Sequence, residues 1–276
     1  MAPIIHCVRH AQGYHNVGGG DYTLRDPRLT PLGKEQCEAL RTASFSDQSK
    51  ISLIAASPLC RTLHTAFLTF NPALTSEGKC QPQILALPEA QEISDDLCDT
   101  GSDPSVLCDL AAQNGWPVDF SLIKDGWNSK APGSRFSPDN NAIKARARDA
   151  RLSLRQKARE LIENGEDDAE IVLVTHGGFL HYFTDDWEES AHSPGTGWKN
   201  CETRSYVFEE DLMVGDDSEA RMVETMASRR NRGKDYPMFG RQKQPELFDL
   251  AMQLWEDQGL QRPDKLDLTA SSCTTL

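Results

Sequence analysis

No stretch of the 276 residues approaches the roughly 18 consecutive apolar side chains that a membrane-spanning helix requires, so no membrane role is expected. Basic side chains are scarce: 29 Lys and Arg stand against 42 Asp and Glu, for a formal charge of -13. A surface of that sign repels polyphosphate, and nucleic acid is not an expected partner, although the balance leaves room for a local cationic pocket. Metal-binding cysteine spacing is missing as well. Eight cysteines stand at 7, 37, 60, 80, 98, 108, 201 and 273 without one CxxC pair or a histidine cluster at zinc-finger spacing, so no structural metal is expected. The opening MAPIIHCVRH lacks the basic segment and apolar run of a secretory signal. Scattered free thiols in a reducing cytoplasm are the simplest reading.

What is present is an alternation of strand and helix signals. Ile4 to Val8 is a short β-branched run, and Arg9 to Gly20 after it is polar and glycine-rich, as in a strand feeding a loop. Thr30-Pro31 opens a helix in which Leu32, Cys37 and Leu40 can share a face. The same grammar repeats: Ile51 to Ala56 reads as a buried strand, and Ser57-Pro58 starts a helix carrying Leu59, Leu63, Ala66 and Phe67. Residues 71–139 differ, with prolines at 72, 82, 88, 104, 117, 132 and 138, and read as an elaborated insertion over a site. Within it stand a short strand candidate at 83–87 and a helix after Asp103-Pro104. Asn140 to Asn164 is a long helix stopped by Gly165, and Glu170 to Gly178 (EIVLVTHGG) contains the clearest strand. The C-terminal part offers a strand at 204–208, an acidic stretch at 209–219, a basic segment SRRNRGK at 228–234 and a helix at 245–258. The basic segment could meet an acidic ligand, but a solvated charged loop is the plainer reading. The whole predicts an α/β fold with a mostly parallel central sheet covered by helices on both faces. A single domain over 1–276 is expected, with the 71–139 insertion and a C-terminal extension from about 209.

Two of these strands end in a histidine inside a loop: Val8-Arg9-His10 and Val174-Thr175-His176-Gly177-Gly178. Ligands of open α/β sheets bind beyond the carboxyl ends of strands, so the two histidines are expected to face one pocket. The strand at 51–56 brings Arg61 to a helix start at the same edge. Two arginines, two histidines and helix N-termini in an acidic protein point to a tetrahedral oxyanion, most simply phosphate.

Arg9-His10-Ala11-Gln12-Gly13-Tyr14-His15-Asn16, Leu29-Thr30-Pro31-Leu32-Gly33-Lys34-Glu35-Gln36, Ser57-Pro58-Leu59-Cys60-Arg61-Thr62-Leu63-His64-Thr65-Ala66 and Thr175-His176-Gly177-Gly178 resemble the histidine phosphatase superfamily, phosphoglycerate mutase-like branch. The motifs fall in family order over roughly two thirds of the chain. The wording of Arg9 to Val17, with Cys98 to Asp103 later, is similar to phosphatase-like members found in fungi. The resemblance implies a covalent mechanism without metal or other cofactor on a small phosphorylated substrate. His10 would attack phosphorus, and water would hydrolyse the phosphohistidine. Arg9, Arg61 and His176 would hold the nonbridging oxygens, with Asn16 as a further donor and Gly177 at the phosphate. The acid that protonates the leaving oxygen falls best on Glu92; Glu89 is its rival, and Asp95 and Asp99 are weaker candidates.

Several positions depart from the family pattern. Ala11 replaces the usual glycine after the nucleophile, and His64 stands where glutamine is more common. The His-Asp pair of the phytase branch is absent, and Gln12 stands where mutases carry a glutamate. Their Trp-Glu-Gly signature is also missing, so phosphatase activity is favoured over mutase activity. A mutase, a repurposed enzyme of the same fold or a catalytically silent phosphate-binding module remain the alternatives. His15, His64, His181 and His192 are expected to pack or lie at the surface, with His181 near enough to His176 to reach the pocket edge. The Gly18-Gly19-Gly20 run reads as a flexible loop, since no Lys-Ser/Thr follows it.

Overall fold

The computed structural model describes residues 3–18, 20–75, 83–213 and 217–272; Gly19, Cys80, Pro82, Cys273 and part of the acidic stretch lie outside these. Seven strands form one sheet: β1 (Ile4–Arg9), β2 (Ile51–Ala56), β3 (Ile84–Ala86), β4 (Val118–Asp119), β5 (Glu170–Thr175), β6 (Thr203–Phe208) and β7 (Met222–Glu224). Their order is β4-β3-β2-β5-β1-β6-β7, parallel from β4 to β1 and antiparallel at β6 and β7. The described helices are α1 (Pro31–Ser44), α2 (Cys60–Thr75), α3 (Pro104–Asn114), α4 (Asn140–Glu163), α5 (Gly177–Thr184), α6 (Met226–Asn231), α7 (Gln244–Asp257) and α8 (Pro263–Ser272). None of them is long and apolar enough to cross a membrane.

The unbroken apolar run of β5 follows from its place at the centre of the sheet, because its side chains point alternately to two faces and both are covered. Ile171 and Leu173 pack with Ile143, Ala147 and Leu154 of α4 and with Phe179 and Phe183 of α5. Val172 and Val174 pack on the other face with Leu63, Ala66 and Phe70 of α2 and with Leu107 and Leu110 of α3. Each such fully buried aliphatic side chain stabilises the fold by about 1.5–3 kcal/mol relative to exposure. The expected mostly parallel sheet between helical layers is the one observed.

Local departures have physical causes. Helix α2 runs past the expected break at residue 71, because Pro72 is accommodated by a non-helical Phe70 (φ -106°, ψ 19°) and the chain resumes a turn to Thr75. It starts at Cys60, whose N–H donates to Asp26 Oδ1 at 2.8 Å, so a residue 34 positions earlier in the chain caps it and Ser57 does not. In α1 the buried face is Gly33, Cys37 and Leu40, whereas Leu32 is exposed. The basic segment 228–234 is neither a solvated loop nor an acidic-ligand site. Arg229 is fully buried between Glu188 (3.0 Å) and Glu224 (3.3 Å), Arg232 pairs with Glu224 and Glu189, and Lys234 with Glu188. Several cations are needed there because an acidic knot from two distant segments must be neutralised before it can be buried.

Candidate active site

Register places the two histidines side by side. Strands β1 and β5 pair Arg9 with Thr175, so His10 and His176 follow at equivalent positions, and the His10 N–H donates to the Thr175 carbonyl at 2.9 Å. Their ring centroids are 5.2 Å apart. The end of β2 lies against the same edge, with the Ser57 N–H on the Val174 carbonyl at 3.0 Å, and the chain then turns into α2 to present Arg61. A cavity of about 420 Å³ opens there, and Arg9, His10, Asn16, Arg61 and Glu92 line it. His176 is fully buried behind it, and Gly177 packs against Thr196 and Arg9; Gly178, not Gly177, reaches the cavity wall.

The hydrogen bonds of His10 fix its tautomer. Nδ1 lies 2.7 Å from the Ala11 carbonyl oxygen, which can only accept, so Nδ1 carries the proton. The lone pair is left on Nε2, where Arg61 Nε donates at 3.3 Å. Burial, then the Arg61 and Arg9 charges, hold the His10 pKa well below the ordinary imidazole value, so the ring is a neutral base at neutral pH. Ala11 sits in the place of a glycine without strain: it is fully buried, is not among the positive-φ residues, and its N–H donates to Thr65 Oγ1 at 3.0 Å.

Arg61 is a hub. Besides His10, it donates through Nη1 to the Cys98 carbonyl (2.5 Å) and through Nη2 to Asp99 Oδ1 (2.7 Å) and His176 Nδ1 (3.1 Å). Since Nδ1 of His176 accepts, its Nε2–H donates to Ser57 Oγ at 2.9 Å, and this second imidazole is neutral, its pKa lowered well below normal by burial and by Arg61. Arg9 donates through Nη1 to the Trp198 carbonyl, while its buried Nε has no partner. Asn16 Oδ1 accepts from the Gly13 N–H at 3.1 Å, which leaves its NH2 as the donor for a ligand.

Glu92 sits at the start of α5. Its Oε1 accepts from the N–H groups of Ile93 (3.0 Å) and Phe179 (2.8 Å), and its Oε2 from Gly178 (3.1 Å), so the open lone pair for a proton is on Oε2. A side chain at 178 would meet Oε1 at 2.7 Å, which explains the glycine. Burial first and the Asp99 charge second raise the Glu92 pKa, against the opposing pull of the Gly178 N–H. The segment is pinned from behind: Arg146 of α4, fully buried, donates to the carbonyls of Glu89 (2.7 Å), Gln91 (2.5 Å) and Glu92 (3.1 Å), and Lys130 to that of Glu92 (2.7 Å). Of the other acids weighed, Glu89 points to Arg135 (3.6 Å), Asp95 is exposed and bonded to Gln261, and Asp99 lines the cavity but is committed to Arg61 and Ser94.

Sequence reasoning missed His15, which lines the cavity with its ring 5.5 Å from that of His10 and its pKa pushed down to about 2 by burial and the two arginines. Its place between His10 and Asn16 in one loop was the available signal. His64 lies against Trp116, and His181 is buried on Trp187 with Nδ1 on the Asp186 carbonyl; it does not line the cavity but sits directly behind Thr196 and Trp255, which do. Asp96, Cys98 and Asp99 bring three possible metal ligands within 4.8 Å of one another. The set is a poor one, because Asp99 is spent on Arg61 and burial pushes the Cys98 thiol pKa up, away from the thiolate a metal needs.

Residues 5–77 match the histidine phosphatase superfamily (branch 1). A phosphoglycerate mutase-like protein of Arabidopsis thaliana is 28% identical over 236 residues, covering 78% of this chain and 87% of its own length. Phosphoglycerate mutase-like protein 1 of the same plant is 28% identical over 252 residues, covering 78% and 84%. The ecdysone phosphate phosphatase of Bombix mori, solved with tungstate, aligns with TM-score 0.48 at 13% identity over 78% of this chain and 94% of its own.

Proposed function

We propose that this chain is a member of the histidine phosphatase superfamily, in its phosphoglycerate mutase-like branch, and that it hydrolyses a small phosphomonoester through a phosphohistidine on His10. The observation that carries the reading is the tautomer of His10: with its Nδ1 proton held by the Ala11 carbonyl, the nucleophilic lone pair on Nε2 faces the Arg61 guanidinium in a cavity shared with Glu92. A phosphoryl group placed there would replace the Arg61 to His10 contact. Nε2 bonds to phosphorus as the ester P–O bond breaks, and the alkoxide leaving group takes the proton from Glu92 Oε2. Arg9 and Arg61 stabilise the equatorial oxygens, with Asn16 as a further donor and the buried His176 acting by bracing Arg61. Water then attacks the phosphohistidine, giving its proton back to Glu92 and releasing phosphate. No step draws on a metal, and the chain is read as a cytoplasmic enzyme.

His10→Ala should abolish turnover of p-nitrophenyl phosphate while leaving the circular dichroism and thermal midpoint near wild type, since the side chain lies beyond the strand and outside the apolar clusters. Quenching wild type with labelled substrate in alkali, where phosphohistidine survives, should place the label on His10. Retention of more than a few per cent of the rate in His10→Ala would overturn the covalent scheme.

A further inference from the structure

We infer that the alcohol carried on the phosphate is uncharged and ring-bearing, and that a second anionic group on it is excluded, a statement that rests on the phosphomonoesterase reading and narrows it. Arg9 and Arg61 are the lysine or arginine side chains that line the cavity, and both belong to the phosphate end. Beyond them the wall is Ile93, Trp198, Trp255 and Leu260, with Tyr22 at the mouth and 46% exposed. The aspartates that line the cavity, Asp96 and Asp99, are of the wrong sign for a second anion, and Asp96 is exposed. Lys130, the nearest further cation to Glu92, is committed to the Glu92 carbonyl and does not reach the wall.

A carboxylate or second phosphate on the substrate would therefore give up its hydration beside indole rings and a like charge, with no further guanidinium or ammonium among the described residues lining the cavity to receive it. A phosphoglycerate carries such a carboxylate. An uncharged ring loses little on entering, because aromatic and aliphatic walls recover its contact area.

The test is calorimetric binding of three phosphonates, which need no turnover, to the whole protein: methylphosphonate, benzylphosphonate and 4-carboxybenzylphosphonate. Benzylphosphonate should bind at least tenfold more tightly than either of the others. Leu260→Arg, at a half-buried wall position, should tighten 4-carboxybenzylphosphonate at least fivefold without helping benzylphosphonate. Asp96→Asn, an exposed site that cannot unfold the core, should narrow the gap between the two benzyl ligands. Equal or tighter binding of the carboxylated ligand to wild type would overturn the inference, and a labelled His10 in that case would leave the hydrolase reading standing. Preferential benzylphosphonate binding without any phosphatase turnover would support the pocket assignment and sink the hydrolase reading. Failure of all three ligands to bind would sink both.

Discussion

At the scale of single residues, the proposed reaction gives Glu92 and Arg61 different parts, and the difference is measurable. The Glu92 proton serves the leaving oxygen, which needs it most as an alkoxide and least as an activated phenolate. Glu92→Gln should slow an alkyl phosphate by about 10²–10⁴-fold and p-nitrophenyl phosphate far less. Arg61 meets the transferred phosphoryl group, whose charge is the same with either leaving group, so Arg61→Ala should slow both substrates comparably. Comparable losses for Glu92→Gln on both substrates, with the leaving-group dependence appearing in Glu89→Gln or Asp95→Asn, would move the acid elsewhere. Acidity separates the same two groups. His10 has a depressed pKa, so the acid limb of the rate profile lies well below the ordinary imidazole range, where the ring gains a proton. Glu92 has a raised pKa and stays protonated above the ordinary carboxylate range, so activity falls as pH rises through it. With the alkyl phosphate, Glu92→Gln should lose the alkaline limb and keep the acid one; a profile unchanged in shape would count against Glu92.

At the scale of elements, the nucleophile loop is held by the start of α1. Thr30 Oγ1 caps the helix by accepting from the Gly33 N–H at 3.0 Å and donates to Gln12 Oε1 at 2.8 Å, while the Gln12 N–H donates to Gln36 Oε1 at 2.8 Å. Gly33 is required there by approach and not by backbone conformation, because a Cβ on it would lie 2.2 Å from the Gln12 carbonyl oxygen. Gly33→Ala must push residue 12 and, two positions along, His10. Overpacking of this kind costs about 1–3 kcal/mol, which urea denaturation would read, and kcat for p-nitrophenyl phosphate should fall several-fold. A destabilised variant with an unchanged kcat would show that the displacement does not reach His10. Helix α4 plays the matching part for the acid, since Arg146 fixes the carbonyls of the 89–92 segment from the opposite side.

At the scale of the molecule, the net charge of -13 coexists with the proposed anion site because Arg61, the cation at its centre, is internal and fixed by protein oxygens. Arg61 is 1% exposed and Arg146 and Arg229 are fully buried, each held by carbonyl or carboxylate oxygens. In the proposed reaction the charge that a metal ion would supply to a transferring phosphoryl group comes from guanidinium groups fixed in place before substrate arrives. Exhaustive chelation should leave the turnover of p-nitrophenyl phosphate within about twofold of the untreated rate. A tenfold loss restored by magnesium would contradict the site as proposed and would point to Asp96 and Asp99.

Fold class, the long helix α4 and the pairing of His10 with His176 were legible in the chain because each rests on a local pattern. A continuous β-branched run means a strand covered on both faces, and a histidine at the end of two such strands means a shared edge. Contacts between distant segments have no such signature. Asp26 caps α2, Ser57 turns from its apparent capping role to His176, and Arg229 closes an acidic knot made by Glu188 and Glu224. The substrate wall is likewise assembled from Ile93, Trp198, Trp255 and Leu260, far apart in sequence and without shared periodicity. Local patterning fixed the elements and the reacting groups, because propensity and strand register act over a few residues. Only the packing of remote loops against the sheet edge decided which acid faces the cavity, which histidine joins it and which side chains form the rest of its wall.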